Sequence, residues 1–418
     1  MQSQDDDCRL HLSPADPTDA VAALVAAAPA AAPLGRPTDA PADRTVDRPL
    51  DPDALRRMRS ATRAVLDDRA GAARAEVERF RATGSRMLDI DQDRVRQAHA
   101  GRTVLVTGGT GCIGSVLVRL LRENGAARVV SISRGRTVGW PRTEGVEYRR
   151  LDVRQRDAVR DLMAELRPDI VYHVAAQHDP GLAEQFVART VSTNVTGTVN
   201  VVDACRSVGG MHLAFASTGK ALRPFSRDVY AGSKKISEWI MRNGVADTGA
   251  GADLTGSAVR FTHIVDNSII HRRLRDWCAG DAVVRLHDAG TMFYVQSALE
   301  AAQLLMGSVL DAAPDRLGLD AITDLGWPVS LLDLAVGVIA ETGSSSAIHV
   351  CGHDPGYERS PYPALYDPLA SGERSPLFSS FEVADLVDAP GCQSVDRLRL
   401  RPLADQRAQD GLTALTAA

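Results

Sequence analysis

Short apolar runs alternate with amphipathic segments through the middle of the chain. Strands that alternate with helices form a parallel sheet with helices on both faces. The Val- and Ile-rich runs are nearly continuous, which is typical of strands buried on both sides. The pattern therefore predicts an α/β fold with a doubly wound parallel sheet. The predicted strands are residues 102–107, 127–133, 146–153, 169–176 and 212–218, and the predicted helices are residues 112–126, 156–168 and 191–209.

Two terminal regions differ from this central block. The first 50 residues are rich in Ala, Pro and Asp, with little to bury, and are predicted to be disordered. Leu55, Met58, Ala61 and Val65 then fall at helical spacing, which predicts one or two amphipathic helices that dock on the main domain or on a second subunit. The predicted units are a disordered tail at 1–50, a helical extension at 51–100, a parallel-sheet domain at 101–265, a mixed region at 266–370 with return segments to the core, and a polar tail at 371–418.

Composition restricts the class of protein. A hydrophobic content of 44% and a charged content of 24% are those of a soluble globular protein. The net charge of -5 argues against a nucleic-acid partner. The six cysteines are scattered, without metal-ligand spacing, so neither a metal nor a disulfide framework is expected. With no signal-like or membrane-spanning segment, a cytoplasmic location without membrane contact is predicted.

A glycine-rich turn follows the first predicted strand. The stretch "TGGTGCIG" places Gly108, Gly111 and Gly114 between a strand and a helix, with Cys112 and Ile113 inside the turn. Such glycines form the turn, admit a pyrophosphate to the backbone amides and allow close helix–strand packing. The context is that of a Rossmann-type dinucleotide site.

The adenosine end of this site is predicted at the next two strands. After the second strand the chain has Ser133, Arg134 and Arg136, where a carboxylate would usually bind a free ribose 2′-hydroxyl. Cations suit a 2′-phosphate, so NADP is predicted, with NAD as the alternative cofactor and simple surface arginines as the alternative interpretation. Asp152 is placed to accept a hydrogen bond from the adenine amino group, or to cap the following helix. The remaining predicted cofactor contacts are Val153, Ala175 and Ala176.

Lysine is confined to one stretch of the chain. The sequence has 48 lysine and arginine residues, and its three lysines are Lys220, Lys234 and Lys235. Tyr230 precedes Lys234 by four residues, which puts phenol and ammonium on one face of a helix. A nearby ammonium and a nicotinamide cation would lower the pKa of a phenol toward the working range. Tyr230 and Lys234 are therefore predicted to be catalytic, with Thr218 holding the substrate hydroxyl.

These motifs together resemble the extended short-chain dehydrogenase/reductase superfamily. Within it, the chain is similar to the CapD-like polysaccharide-biosynthesis branch, whose members are sugar-nucleotide 4,6-dehydratases and epimerases. The resemblance runs from about Asp91 to Arg359 and includes "LDVRQRDAVRDLMAELRPDIVYHVAAQHDP", "DLGWPVSLLDLAVGVIAETG" and "GHDPGYE". It implies a Rossmann-type domain with a smaller mixed α/β substrate domain, and here an N-terminal helical extension.

The chain departs from the branch at two positions. The dehydratases of the branch have Ser-Thr-Asp-Lys where this chain has Ser217, Thr218, Gly219 and Lys220, so the expected general acid is missing. Met292 stands where an arginine would help to hold the nucleotide diphosphate. The first departure argues against dehydration, and Lys220 becomes a candidate base or weak acid.

The predicted function is NAD(P)-dependent modification of a nucleotide-activated sugar through transient oxidation of a ring hydroxyl, most simply at C4. The enzyme would be an epimerase or a dehydratase, and a homo-oligomer. An NADPH-dependent ketoreductase of secondary metabolism and a non-catalytic NADP sensor are the alternatives. The predicted substrate-binding residues are His178, Ser217, Asn267, Arg272 and Arg285.

Overall fold

A computed structural model shows the architecture of the chain. It describes residues 19–27, 51–135, 141–222, 228–246, 254–314, 316–322, 325, 328–352, 377, 382–387 and 395–400.

The chain divides into two compact units. A sheet unit comprises residues 82–267, 294–327 and 355–418, and a helical unit comprises residues 1–81, 268–293 and 328–354. The predicted extension therefore contributes to both units. The segment 294–327 belongs to the sheet unit, where it supplies a strand of the main sheet.

The sheet unit contains, among the described residues, a nine-stranded sheet in the order β3–β2–β1–β4–β5–β6–β11–β15–β14. The first seven strands of this order are parallel, and β15 and β14 are antiparallel additions at one edge. The strands are β1 (Thr103–Thr107), β2 (Arg128–Ser133), β3 (Val146–Arg150), β4 (Ile170–His173), β5 (Met211–Thr218), β6 (Leu254–Phe261), β11 (Leu317–Ile322), β14 (Glu382–Val387) and β15 (Val395–Leu400). This confirms the predicted doubly wound α/β fold.

Helices cover both faces of this sheet. They are α3 (Gln92–His99), α4 (Cys112–Glu123), α5 (Arg156–Leu166), α6 (Pro180–Gln185), α7 (Val187–Val191), α8 (Gly197–Val208), α9 (Val229–Ala246) and α11 (Ala298–Gly307). A π-helical turn (Ser192–Thr196) joins α7 to α8, and 3-10 turns lie at Gly219–Leu222 and Val265–Asn267. A small pairing of β7 (His263–Ile264) with β10 (Val295–Gln296) completes the unit.

The core of the sheet unit lies in two apolar layers. Because successive side chains of a strand face opposite sides, Val104 and Val106 pack in one layer with Leu117 of α4, while Leu105 packs in the other with Leu162 of α5. These five side chains are at most 5% exposed.

The helical unit is organised by a helix of 32 residues, α2 (Pro52–Thr83). Its buried face includes Met58, Val65 and Phe80. The unit also contains α1 (Asp19–Ala27), α10 (Ile269–Ala279), α12 (Leu331–Thr342), and the strand pairs β8 (Val284–Leu286) with β13 (Ile348–Val350) and β9 (Met292–Phe293) with β12 (Val329–Ser330). Residues 52–83 of the extension therefore form one continuous helix, whose apolar face packs within its own chain.

Two predicted tails contain regular structure. Helix α1 lies inside the first 50 residues, which were predicted to be disordered; Val21 and Leu24 are buried there, which gives this short segment an apolar face to pack. Strands β14 and β15 lie inside the predicted polar tail and extend the sheet through backbone pairing. Among the described residues, no helix has the length and apolarity needed to cross a bilayer.

Candidate active site at the carboxyl ends of the parallel strands

The glycine-rich turn joins β1 to α4. Gly108 adopts a left-handed φ of 77°, and a Cβ there would lie 2.8 Å from the Ala175 backbone nitrogen. A Cβ at Gly114 would overlap the Gly108 carbonyl oxygen, whereas at Gly111, the N-cap of α4, the nearest atom would be 3.3 Å away. The turn thus needs glycine at both ends and leaves the helix N-terminus open, which fits a dinucleotide pyrophosphate.

Cys112 lies at the first residue of α4. Burial, and to a smaller extent the charge of Asp266, raises the pKa of this thiol to about 12. The thiol is therefore protonated at neutral pH and adds no charge beside the pyrophosphate site. Ile113 follows it and is half-buried.

A buried polar chain connects β1, β4 and α8 behind the glycine-rich turn. The His173 ring lies 2.8 Å from the Thr107 hydroxyl through Nδ1 and 3.1 Å from the Thr198 hydroxyl through Nε2. Thr107 also accepts a hydrogen bond from the Ala175 backbone at 3.1 Å. Burial lowers the pKa of His173 to about 3, so the ring is neutral and acts as a structural bridge.

Asn194 anchors the segment after β4 to α9. Its side chain accepts from the Gln177 backbone nitrogen at 2.7 Å and donates to the Gln177 carbonyl at 3.0 Å and to the Ser233 hydroxyl at 2.9 Å. The Asn194 carbonyl accepts from Ser237 of α9. The residue lies in the π-helical turn, and such turns occur often at functional sites.

The predicted catalytic set lies where β5 ends and α9 begins. The Thr218 hydroxyl lies close enough to the Tyr230 hydroxyl to favour its ionised form. Lys234 is 4% exposed, and its Nζ donates to the Ala216 carbonyl at 2.6 Å and lies 4.6 Å from the centre of the Phe215 ring. The structure therefore brings all three predicted residues to one end of β5.

The protein around Tyr230 favours the protonated phenol. Burial of its hydroxyl raises the pKa to about 12, the Thr218 hydrogen bond acts in the opposite direction, and the Asp228 charge raises the pKa further. The residue as a whole keeps some exposed surface, but its oxygen lies deep among protein atoms. Lys234 does not lower this pKa here, because its ammonium is directed to the Ala216 carbonyl.

A buried ion pair joins α9 to the sheet. Arg260 of β6 donates to Glu238 of α9 at 3.0 and 2.9 Å, and the two residues are 3% and 6% exposed. The Ser217 hydroxyl donates to Glu238 at 2.5 Å. Ser217 was predicted to contact substrate; its hydroxyl is directed into the protein, where Glu238 accepts its hydrogen bond.

The turn after β5 holds the departure from the dehydratase pattern. Gly219 is buried and begins the 3-10 turn, and the Lys220 backbone nitrogen lies 3.4 Å from the Thr218 hydroxyl. Asp228, across the undescribed residues 223–227, caps α9 by accepting from the Ala231 backbone at 2.6 Å.

His178 lies after β4, next to the segment held by Asn194. It keeps an exposed surface, while surrounding protein atoms lower its pKa; Asp179 opposes this effect and Lys234 adds to it. His178 therefore lies within electrostatic range of Lys234. Asp179 caps α6 by accepting from the Leu182 backbone at 3.0 Å.

The adenosine end of the site is lined by β2 and β3. Asp152 does not cap α5, whose N-cap is Gln155; its carboxylate accepts from the Arg154 side chain at 2.6 to 3.1 Å and from the Arg154 backbone at 3.0 Å. Arg154 first, and Arg134 to a smaller extent, lowers the pKa of Asp152. Ser133 ends β2, Val153 is buried next to Asp152, and Ala175 and Ala176 follow β4. Arg136 lies outside the described residues.

The remaining predicted substrate residues are divided between the units. Asn267 ends the 3-10 turn at the boundary of the sheet unit. Arg272, on α10, is exposed, and Arg285, on β8, is half-buried; both belong to the helical unit. No group of His, Cys, Asp or Glu with metal-binding geometry occurs in the part of the chain that the structure describes.

Sequence patterns alone did not identify Asn194, Ser233, Glu238 and Arg260. One signal was present: Tyr230, Lys234 and Glu238 follow each other at intervals of four, so they share a helix face. The partner Arg260 is 22 residues further along the chain, and only the pairing of β5 with β6 places it there.

The comparisons with known proteins agree with this geometry. Residues 104–265 match the NAD dependent epimerase/dehydratase family. The probable polysaccharide biosynthesis protein EpsC of Bacillus subtilis (strain 168) is 26% identical over 272 residues, which cover 62% of this chain and 44% of EpsC. The capsular polysaccharide biosynthesis protein CapD of Staphylococcus aureus is 25% identical over 268 residues, covering 61% of this chain and 43% of CapD. The chain thus spans less than half the length of these relatives.

A solved structure shows the same fold. Pen from Bacillus thuringiensis superposes with a TM-score of 0.60 at 20% sequence identity, covering 73% of this chain and 90% of Pen. The match of residues 104–265, and the relatives among polysaccharide-biosynthesis proteins, confirm the resemblance inferred from the motifs. This chain therefore carries a domain of the NAD-dependent epimerase/dehydratase family.

Proposed function

We propose that the chain is an NADP-dependent enzyme that modifies a nucleotide-activated sugar by transient oxidation of a ring hydroxyl, at C4. The observation that carries the proposal is the placement of Thr218, Tyr230 and the buried Lys234 together at the carboxyl end of β5, the end of the sheet at which the glycine-rich turn also lies. The family of residues 104–265 and the polysaccharide-biosynthesis relatives support the substrate class.

Tyr230 accepts the proton of the sugar hydroxyl. A bound nicotinamide supplies hydride acceptance and return, and its oxidised ring brings a positive charge to the site. A phenol with a pKa of about 12 is a weak base at neutral pH, so Tyr230 needs that positive charge before it takes the proton. Thr218, at the end of β5 near the phenol, positions the sugar hydroxyl.

Lys234 exchanges a proton and holds the cofactor ribose. Burial lowers its pKa to about 7, whereas Glu238 favours the ammonium. Its proton is therefore exchangeable near neutral pH, and its compact ammonium suits a hydrogen bond to the cofactor ribose.

Gly219 decides between the two reaction branches. Oxidation at C4 makes the neighbouring C5–H acidic, and elimination then needs a proton donor for the departing C6 hydroxyl. Glycine offers none, and Lys220 would have to be neutral to accept the C5 proton but charged to donate one. The proposal is therefore C4 epimerisation, without loss of water.

The preference for NADP rests on the adenosine end of the site. Arg134 follows β2, and the stretch from Ser133 to Trp140 contains no carboxylate to bind a free 2′-hydroxyl. A 2′-phosphate would find a charge partner there.

A net ketoreductase is the second candidate. The raised pKa of Tyr230 favours it, because a protonated phenol is suited to protonate the alkoxide formed on reduction. Steady consumption of NADPH with a carbonyl substrate would support this candidate, whereas unchanged cofactor with converted sugar supports the epimerase.

The test is incubation with UDP-N-acetylglucosamine in deuterated water, followed by mass spectrometry and chromatography. Epimerisation predicts an unchanged composition with a new retention time, whereas elimination predicts the loss of one water. Tyr230→Phe should lower turnover by about 10²–10⁴-fold. Tyr148→Phe, which removes a phenol in β3, is the matched control and should keep full activity. More than a tenth of the activity in Tyr230→Phe would contradict the assignment.

A second variant tests the choice between epimerisation and elimination of water. Gly219→Asp restores the acid and should raise elimination by about ten-fold or more. Rapid elimination by the unmodified protein, above about 1 s⁻¹, would show that another residue supplies the proton.

A further inference from the structure

The turn after β2 is crossed by an arginine from the neighbouring strand. Gly135 adopts a left-handed φ of 80°, and a Cβ there would lie 3.1 Å from Cδ and 3.4 Å from Nε of Arg150. The strand register pairs Ser133 with Arg150, and the Leu151 backbone donates to the Ser133 carbonyl at 2.8 Å. The Arg150 side chain is thus brought to the turn that carries Arg134.

The adjacent arginine of β3 has a different place. Arg149 donates to Glu147 at 2.5 Å and to Glu165 of α5 at 2.9 Å. Because neighbouring residues of a strand face opposite sides, Arg150 is directed away from these carboxylates. The two arginines therefore differ in face and in partners, although they are adjacent in sequence.

Positive charge exceeds negative charge at this end of the sheet. Arg134, Arg150 and Arg154 are all exposed there. The carboxylate of Asp152 lies among these arginines, and the Arg154 side chain donates three hydrogen bonds to it. This leaves an excess of cations where the fold binds the adenosine of a dinucleotide, and such an excess suits a dianionic group.

We propose that Arg150 is a specificity-determining residue that, together with Arg134, binds the 2′-phosphate of the adenosine ribose in NADP. The inference rests on the NADP preference of the proposed function and deepens it, because it assigns the discrimination to a residue of β3. A guanidinium group from the turn after β2 and one from β3 can contact different oxygens of one phosphate, whereas the neutral 2′-hydroxyl of NAD offers them no charge. Arg154 remains paired with Asp152.

The test measures cofactor binding without any sugar. Titration of the purified protein with NADPH and with NADH, followed by calorimetry or nicotinamide fluorescence, gives both dissociation constants. Arg150→Gln should weaken NADPH binding by about ten-fold or more, the effect of losing one charge-assisted hydrogen bond. NADH binding should change less than about two-fold, which also reports that the variant is folded.

Arg149→Gln is the matched control, because it removes the same charge one residue away on the opposite face. It should leave both dissociation constants within about two-fold of the parent. Added salt should lower the NADPH affinity of the parent more steeply than that of Arg150→Gln, since the variant holds the phosphate with one charge fewer.

Two outcomes would overturn the inference, and they are distinguishable. An unmodified protein that prefers NADPH, with an equal preference in Arg150→Gln, would remove Arg150 from the site but leave the NADP assignment intact. An unmodified protein that binds NADH as tightly as NADPH would contradict both the role of Arg150 and the NADP assignment. The sugar chemistry would be unaffected in either case, because it is measured by a separate assay.

Discussion

Lys234 holds its ammonium in surroundings that oppose a charge. The side chain is 4% exposed, and burial lowers its pKa to about 7 despite the favourable charge of Glu238. Its contacts are the Ala216 carbonyl and the Phe215 ring. A lysine that is easily deprotonated is useful where protons are exchanged, and the cost of its burial should appear in the stability of the fold.

We expect this cost to depend on pH in a defined direction. Between pH 7 and about 10.4 the unfolded chain binds a proton at this lysine and the folded chain does not. The contribution of Lys234 to the free energy of unfolding should therefore rise with pH across this window and be constant below pH 7. Urea unfolding of the parent and of Lys234→Met at pH 6.5, 8 and 9.5 measures it. The parent should gain stability relative to the variant at each step, and a difference independent of pH would contradict the lowered pKa.

At the scale of elements, α2 is held against α12 by close backbone packing. A Cβ at Gly337 of α12 would overlap Val77 and lie 2.7 Å from the Ala73 carbonyl oxygen. Arg69 adds two hydrogen bonds to Asp333, at 2.6 and 2.9 Å. The amphipathic pattern of α2 predicted the helix, and the glycine on α12 determines how closely it packs.

Gly337→Ala should therefore destabilise the helical unit by about 1–3 kcal/mol, as overpacking does in a close contact. Gly71→Ala is the matched control on α2, because nothing lies within 4 Å of a Cβ there. It should stabilise the protein by about 0.5–1 kcal/mol through better helix propensity. Hydrogen exchange of the α2 amides, together with urea unfolding, reports both effects. Equal stability of the two variants would show that the contact is not close.

At the scale of the whole molecule, the predicted homo-oligomer remains a prediction, and one surface supports it. Four large apolar side chains of the α6–α7 region are 37–46% exposed: Leu182, Phe186, Val187 and Val191. Apolar residues exposed singly are ordinary, whereas several in one short region are typical of an interaction surface.

We expect sedimentation velocity to show a dimer or a larger oligomer of the full chain. Phe186→Glu combined with Val187→Glu should shift the protein to the monomer, because burying two carboxylates in an apolar interface is costly. Met87→Glu, at an isolated residue that is 61% exposed, should leave the assembly unchanged. A parent that sediments as a monomer would contradict the prediction.

The sequence by itself determined the features that depend on local pattern. The order of strands and helices follows from the apolar and amphipathic patterns of single segments, and the glycine-rich turn and the placing of Tyr230 and Lys234 on one helix face follow from the spacing of nearby residues. Such patterns reflect backbone geometry, which each segment carries with it.

Tertiary structure decided the features that join distant segments. The Arg260–Glu238 pair and the closeness of Arg150 to Gly135 depend on strand pairing, and the Asn194 bridge to Gln177 and Ser233 depends on the packing of a π-helical turn against α9. The pKa of Tyr230 depends on how deeply the folded protein buries its hydroxyl. Burial and long-range pairing depend on which segments meet in the folded chain, and a local pattern does not contain that information.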